Sequence, residues 1–403
     1  MFKLFNGPRG RYDPLPVDLE RTPSASTYYP NQHKNRRFPA IPPRALRHVI
    51  IAFVLLCLGW LLFRRGALPG MIWGPGDIDF TTLRPDYLNA SVDRPIVIRL
   101  TIISRADEFE RRQAFREAIL DGVSENYVQL AYRFVVGRPV EPDSKTDHAV
   151  LQAIREENNK YDDLLMLEDI KDVPARLSEK RYAALKWTAS VPEYEYDWAM
   201  TMDSDTFCRF RLLAQRLQYF YLTANPREKP VLLGRMGGHL VYFENTVPDD
   251  TEDDNAEDHI IKGQWYSYPL GIGYMLSSNL TATIMSANPP LPHHVNYPSD
   301  DVMIGAWVAA LKDFHDPSVK FETTLDHDDP PVRQVHPRPY LPYSVDTTII
   351  DDKVGWHDFK NRGGFEQTIG WESACVHRMS IEEMRAFRKM DEVKNDWETL
   401  PHY

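Results

Sequence analysis

Cysteine is scarce in this sequence, and its scarcity excludes several kinds of protein. The 403 residues contain three cysteines, too few for a disulfide-stapled mini-protein or a four-cysteine zinc site. No period of about 20–50 residues repeats, which excludes solenoids and propellers. Hydrophobic residues nevertheless make up 43% of the chain, enough for a folded core. The length allows one large domain or two moderate ones.

Positive charge is in short supply except near the N-terminus. The net charge of −11 and the pI near 5.7 argue against nucleic-acid binding by the whole chain. Residues 1–48 carry a net charge of +6, so the remaining residues carry −17. Because residues 1–48 are also rich in Pro, Arg, Ser and Asn, we predict that they form a disordered tail.

One long apolar run, residues 49–63, contains no charged residue. As a helix it would span about 22 Å, short for a bilayer core of ~30 Å, although flanking arginine stems can extend it. A buried core helix would normally have a polar face, which this run lacks. It therefore predicts a transmembrane signal anchor with a cytosolic tail. A lumenal stem over residues 64–94 and a globular domain over residues 95–403 would follow.

From residue 95 onward, strand patterns alternate with helix patterns. We expect strands at 95–103, 132–137, 161–167 and 196–202, with helices at 107–121, 148–158 and 176–190. This alternation predicts an α/β fold with a mainly parallel sheet. Ligands of such sheets bind beyond the carboxyl ends of the strands. The fourth strand runs directly into Asp203-Ser204-Asp205, which places two carboxylates at that edge.

Two acidic segments are candidates for chemistry. Asp203 and Asp205 can hold a divalent cation, or they can simply belong to a strand-end turn. Asp300 and Asp301 precede an apolar helix pattern, where one of them can act as a general base or as an N-cap.

Residues 265–277 combine aromatic side chains with Gly271 and Gly273. Glycine allows close approach of the backbone to a ligand, and aromatic faces suit sugar rings. A glycine-containing bend with core tyrosines is the alternative interpretation.

Seven segments, taken in chain order between about residues 96 and 388, resemble glycosyltransferase family 31, the β-1,3-galactosyltransferase, N-acetylglucosaminyltransferase and fringe group. They are Arg112-Gln-Ala-Phe-Arg116, Phe134-Val-Val-Gly137, Asp169-Ile-Lys-Asp172 with Lys180 and Trp187, Asp203-Ser204-Asp205-Thr206-Phe207, Tyr268 through Ser277, Asp300-Asp301-Val302-Met-Ile-Gly305, and Val376-His377-Arg378. The chain departs from the family pattern at Thr201, where the family has lysine, and at Ala118-Ile119. Most of the family's cysteines are also absent.

The resemblance implies a GT-A (Rossmann-like) fold and an inverting, metal-dependent transfer of galactose or N-acetylglucosamine from a UDP-sugar, forming a β-1,3 linkage to a glycan or glycoprotein. It implies a type II Golgi membrane protein that uses Mn²⁺ or another divalent cation. The roles it implies are metal binding for Asp203, Asp205 and His377; base catalysis for Asp301 with Asp300 in support; and donor binding for Arg105, Arg112, Arg116, Asp169, Lys180, Asp203, Gly271 and Gly273.

Several alternatives stay open at the level of sequence. Asp203 can bind the ribose instead of the metal, and His377 can be a structural histidine. Cys208 and Cys375 each adjoin a proposed metal ligand, so they can form a disulfide if those ligands converge. An inactive sugar-nucleotide or glycan-binding membrane protein of the same fold, or a metal-dependent hydrolase, would use many of the same residues.

Overall fold

A seven-stranded sheet lies at the centre of the part of the chain that the structure, a computed structural model, describes. The described residues are 73, 77–139, 145–244, 260–287, 300–311, 318–323, 332–337, 345–358 and 368–399. The strands of the sheet are β1 (Ile96–Ile103), β2 (Val128–Arg138), β3 (Leu164–Lys171), β4 (Trp198–Asp203), β6 (Val231–Glu244), β7 (Ile260–Ser277) and β10 (Thr348–Asp351). They lie side by side in the order β10-β6-β7-β4-β1-β2-β3.

Most neighbouring strands of this sheet run parallel. Parallel pairing joins β3, β2, β1 and β4 in one block, and it also joins β10 to β6. Strand β7 is antiparallel to both β4 and β6. The predicted α/β fold with a mainly parallel sheet is therefore confirmed. The four strands predicted from the sequence are β1 to β4.

Helices cover both faces of the sheet among the described residues. They are α1 (Phe109–Phe115, continued by a π-helical turn over Arg116–Leu120), α2 (Lys145–Tyr161), α3 (Leu177–Thr188), α4 (Phe210–Phe220), α5 (Ser278–Ser286), α6 (Asp300–Ala310) and α7 (Ile381–Arg388). Ile98, Leu100 and Ile102 of β1 pack into one core with residues of α1 and α4. Val97, on the other face, packs against a second core that contains Trp307 of α6. Burial on both faces explains the largely apolar run of β1.

A second, three-stranded sheet stands beside the carboxyl end of β4. It contains β11 (Trp356–Asp358), β12 (Cys375–His377) and β5 (Phe207–Cys208), in that order. Cys375 lies opposite Cys208 in the antiparallel pairing of β12 with β5, and the two form a disulfide between residues 167 positions apart in the chain. A two-stranded hairpin of β8 (Ser318–Thr323) and β9 (Val332–Pro337) completes the strands of the described ranges.

The part of the predicted stem that the structure describes, residue 73 and residues 77–94, lies against the folded domain. Leu88 is buried, and the Phe80 ring lies 4.9 Å from the Trp371 ring, centroid to centroid. The predicted anchor at residues 49–63 and the predicted tail at residues 1–48 lie outside the described residues. No helix in the described ranges has both the length and the apolar character needed to cross a bilayer.

Candidate active site

The carboxyl end of β4 places two aspartates at the rim of the central sheet. Asp203 is the last residue of β4, and the Thr206 amide donates to the Asp203 carbonyl at 3.0 Å, which turns the chain. Asp205 follows the turn, and its carbonyl accepts from the Met379 amide at 2.9 Å. Both side chains keep about a third of their surface exposed. The turn therefore presents two accessible carboxylates side by side.

His377 meets this pair because the three-stranded sheet holds it there. Its Nε2 lies 3.2 Å from Asp205 Oδ1, and its Nδ1 lies 2.8 Å from Asp358 Oδ1. One ligand atom each from Asp203, Asp205 and His377 lies within 4.8 Å of the others. The Cys208–Cys375 disulfide joins the two strands that carry these loops. The predicted metal-binding residues thus converge, as does the predicted cysteine pair.

The first turn of α6 brings a second pair of carboxylates to the same region. Asp300 and Asp301 are the first two residues of that helix, and both pair with Arg181 of α3. Arg181 Nη2 lies 3.3 Å from Asp301 Oδ1 and 3.1 Å from Asp203 Oδ1. A single nitrogen atom therefore contacts the candidate base and the candidate metal motif. We call Asp203, Asp205, Asp300, Asp301, His377 and Arg181 the acidic centre.

The acidic centre has two halves: the metal-binding group of Asp203, Asp205 and His377, and the pair Asp300 and Asp301. Gly271 lies between these halves. A Cβ atom at this position would lie 3.2 Å from Asp301 Oδ2 and 3.7 Å from His377 Cε1. Glycine therefore leaves open the space between the candidate base and the candidate metal ligand. Gly273 has a different reason to be glycine. Its φ is +123°, and a Cβ there would lie 2.8 Å from the Thr201 carbonyl oxygen, a conformation and an approach that suit glycine.

Burial and neighbouring charge push the pKa values of the acidic centre in different directions. Burial raises the pKa of Asp301 to about 7, against the opposing effect of Arg181, and burial also raises the pKa of Asp203. Burial alone would raise the pKa of Asp205, but the contact with His377 brings it below its ordinary value. Burial alone would lower the pKa of His377, yet hydrogen bonds to Asp205 and Asp358 raise it to about 9. Such divergent shifts within one small region are typical of functional sites.

The remaining predicted donor-binding residues do not join the acidic centre as a group. Arg105 is exposed and pairs with Asp107 at 2.9 Å, and Asp169 is exposed on β3. Lys180 is buried, and its Nζ donates to Asp172 Oδ1 at 2.7 Å and to the Ser104 carbonyl at 3.0 Å.

Arg112 and Arg116 are buried in ion pairs of their own. Both donate to Glu157, at 2.6 and 2.7 Å, and Arg116 also donates to Asp163 at 2.8 Å. These four residues, which we call the buried ion cluster, connect α1 and its π-helical turn to α2 and to the chain before β3. The positive charges of Arg112 and Arg116 are therefore already paired with carboxylates within the fold.

Sequence reasoning missed three residues of functional interest. Arg181 directly follows Lys180, a predicted residue, but a charged residue in a helix pattern gave no sign that it would be buried. Asp358 orients the His377 ring, and Asp172, not predicted as a site residue, binds Lys180. Asp172 was already within the matched motif, so the spacing to Lys180 was the available signal.

Residues 110–315 match the family model described as Galactosyltransferase, which covers more than half of the chain. The chain belongs to this galactosyltransferase family. It is a glycosyltransferase, and family membership implies a nucleotide-sugar donor and a glycan acceptor.

Among solved structures, the chain is similar to a mutant UDP-glucose pyrophosphorylase from Leishmania major at 12% identity. That match has a TM-score of 0.27 and covers 77% of this chain and 72% of the other. A UDP-glucose pyrophosphorylase complexed with UDP-glucose matches at 7% identity with a TM-score of 0.22, covering 53% of this chain and 87% of the other. No curated protein sequence matches the chain significantly. The family assignment rests on the family model.

Proposed function

We propose that this galactosyltransferase-family enzyme moves a hexose, galactose or N-acetylglucosamine, from a UDP-sugar to a glycan hydroxyl with inversion and with the help of a divalent cation. The proposed linkage is β-1,3. The observation that carries the proposal is the position of Gly271, which separates Asp301 from His377 without filling the space between them. A metal-binding group and a base can therefore act on one substrate.

The side chains of Asp203, Asp205 and His377 suit a first-row divalent cation such as Mn²⁺. They offer two carboxylates and one imidazole, with ligand atoms within 4.8 Å of one another, and mixed oxygen and nitrogen donors favour Mn²⁺ over Ca²⁺. The Asp358 contact to Nδ1 fixes the ring so that Nε2 faces Asp205, a common arrangement around metal-binding histidines. A bound cation would neutralise the charge that develops on the leaving diphosphate.

Asp301 fits the part of general base. The acceptor hydroxyl must lose its proton as it attacks the anomeric carbon, and a carboxylate with a pKa near neutrality can take that proton. Burial raises the pKa of Asp301 to about 7. Asp300, at the start of the same helix, shares the Arg181 side chain with Asp301 and therefore supports its position.

The test is a donor screen with the full-length chain. UDP release is measured from UDP-galactose and UDP-N-acetylglucosamine with Mn²⁺, with and without acceptor glycans, and the product anomer is assigned by NMR. We expect acceptor-dependent UDP release and a β-linked product. UDP release that needs no acceptor would indicate a hydrolase instead, and UDP binding without any turnover would indicate an inactive binding protein.

A further inference from the structure

Arg181 is the residue of the acidic centre that contacts three of its aspartates at once. It extends from α3 and ion-pairs with Asp300 through Nε and with Asp203 and Asp301 through Nη2. Its side chain is only 3% exposed. Three carboxylates from two separate elements, β4 and α6, therefore share one guanidinium group.

A planar guanidinium group can fix the geometry of such a set. Its nitrogens lie in one rigid plane, and Asp300 binds Nε while Asp203 and Asp301 share Nη2, so one rigid group fixes all three carboxylates relative to one another. Without this cation, the like charges of Asp203, Asp300 and Asp301 would repel one another in a partly buried region, where repulsion is stronger than in open water. The Arg181 guanidinium therefore keeps Asp203 close to Asp300 and Asp301.

Strand β4 carries a threonine, not a cationic side chain, two residues before Asp203. Thr201 lies two residues before Asp203, so both side chains point to the same face of the strand. Thr201 Oγ1 lies 2.9 Å from Thr101 Oγ1 and also bonds to Tyr274, whose ring centre lies 6.0 Å from the Arg181 guanidinium carbon. The positive charge next to Asp203 is supplied instead by Arg181 of helix α3.

We propose that Arg181 is a positioning residue, which holds Asp301 at the distance from the metal-binding group that transfer requires. The proposal rests on the function proposed above. Arg181 needs no contact with the substrate in this role. Its loss therefore affects the transition state, where Asp301 acts, more than it affects binding of the donor.

The experiment compares Arg181→Ala and Arg181→Lys with the unaltered chain in Mn²⁺-dependent UDP release. We expect kcat to fall about 100-fold in Arg181→Ala and about tenfold in Arg181→Lys, which keeps the charge but loses the fork. The KM for the UDP-sugar should change less than about threefold in both variants. Arg385→Ala is the matched control, since Arg385 pairs with Glu117 away from the acidic centre, and it should keep kcat. A kcat in Arg181→Ala within about threefold of the unaltered chain would overturn the proposal.

A thermal-unfolding cycle separates this proposal from the proposed function. If the unaltered chain turns over neither donor, the proposed function fails, and the Arg181 arrangement is decided by stability alone. Arg181→Ala should lower the melting temperature clearly less in an Asp300→Asn/Asp301→Asn background than in the unaltered chain, because the buried repulsion is then gone. Equal decreases in both backgrounds would show that Arg181 does not hold these carboxylates.

Discussion

The acidic centre and the buried ion cluster contain the same kinds of side chain but differ in charge balance. The buried ion cluster pairs two arginines with two carboxylates, Glu157 and Asp163. Burial alone would raise the pKa of Glu157, but Arg112 and Arg116 bring it below its ordinary value. In this cluster every carboxylate faces a cation, which makes it a structural connection.

The acidic centre, by contrast, is not balanced. Asp203, Asp205, Asp300 and Asp301 outnumber Arg181 and His377, and burial raises the pKa of Asp301 to about 7. Arg181 Nη1 is buried without a hydrogen-bond partner among the described residues. Buried polar atoms without partners are costly to a fold. Excess negative charge therefore distinguishes the acidic centre, whereas completed ion pairs distinguish the cluster that supports the fold.

The sharpest test of this contrast is Asp301→Asn. Asparagine keeps the size of the side chain but cannot accept the proton of an acceptor hydroxyl, so we expect turnover to fall about 10³-fold. Binding of UDP in the presence of Mn²⁺, measured by calorimetry, should change only a few-fold, because the base acts in the transition state. Full turnover by this variant would remove Asp301 from the mechanism.

Removing a metal ligand should have the next largest effect. Asp205→Ala takes one carboxylate from the group formed with Asp203 and His377, and we expect Mn²⁺ affinity to fall by at least about 100-fold, since loss of even a residue that only orients a ligand costs about 10–100-fold. Chelation of the unaltered chain should lower donor binding in the same way. The measurement is UDP calorimetry with and without Mn²⁺. Equal UDP affinity in both conditions would show that the cation does not take part in donor binding.

The sequence predicted the parallel half of the sheet because its signals are local. Strands β1 and β4 are largely apolar runs buried on both faces, and each of the strands β1 to β4 is followed by a helix or a turn that its own residues specify. The predicted placement of Asp203 and Asp205 at the end of β4 is confirmed for the same reason. Strand β7, which is antiparallel and 18 residues long, has no comparable local pattern.

The arginines show where local patterns stop being informative. Arg112 and Arg116 belong to a matched motif, yet their partners Glu157 and Asp163 lie more than 40 residues later in the chain. Arg181 lies 119 residues before Asp300. Tertiary contacts decide which arginine forms a structural ion pair and which lies at the acidic centre. The spacing of residues in one sequence does not reveal those contacts.

The pH dependence of kcat tests the contrast between the acidic centre and the buried ion cluster without a mutation. Since the base must be ionised and burial raises the pKa of Asp301 to about 7, kcat should fall by about tenfold for each unit below pH 7. The assay requires saturating Mn²⁺ at every pH, so that metal loading does not limit the rate. A kcat that stays level down to about pH 5 would exclude Asp301 as the titrating group.

The smallest effect on turnover is expected in the buried ion cluster, with Glu157→Gln. This change leaves Arg112 and Arg116 without the charge that both contact, and breaking a buried ion pair costs about 3–5 kcal/mol of unfolding free energy. Urea unfolding should show that loss, while kcat per folded molecule and Mn²⁺ affinity stay within about twofold of the unaltered chain. A large fall in kcat per folded molecule would show that the buried ion cluster contributes to transfer and is not only a structural connection. Intact turnover combined with lower stability would instead show that these balanced pairs stabilise the fold without taking part in transfer.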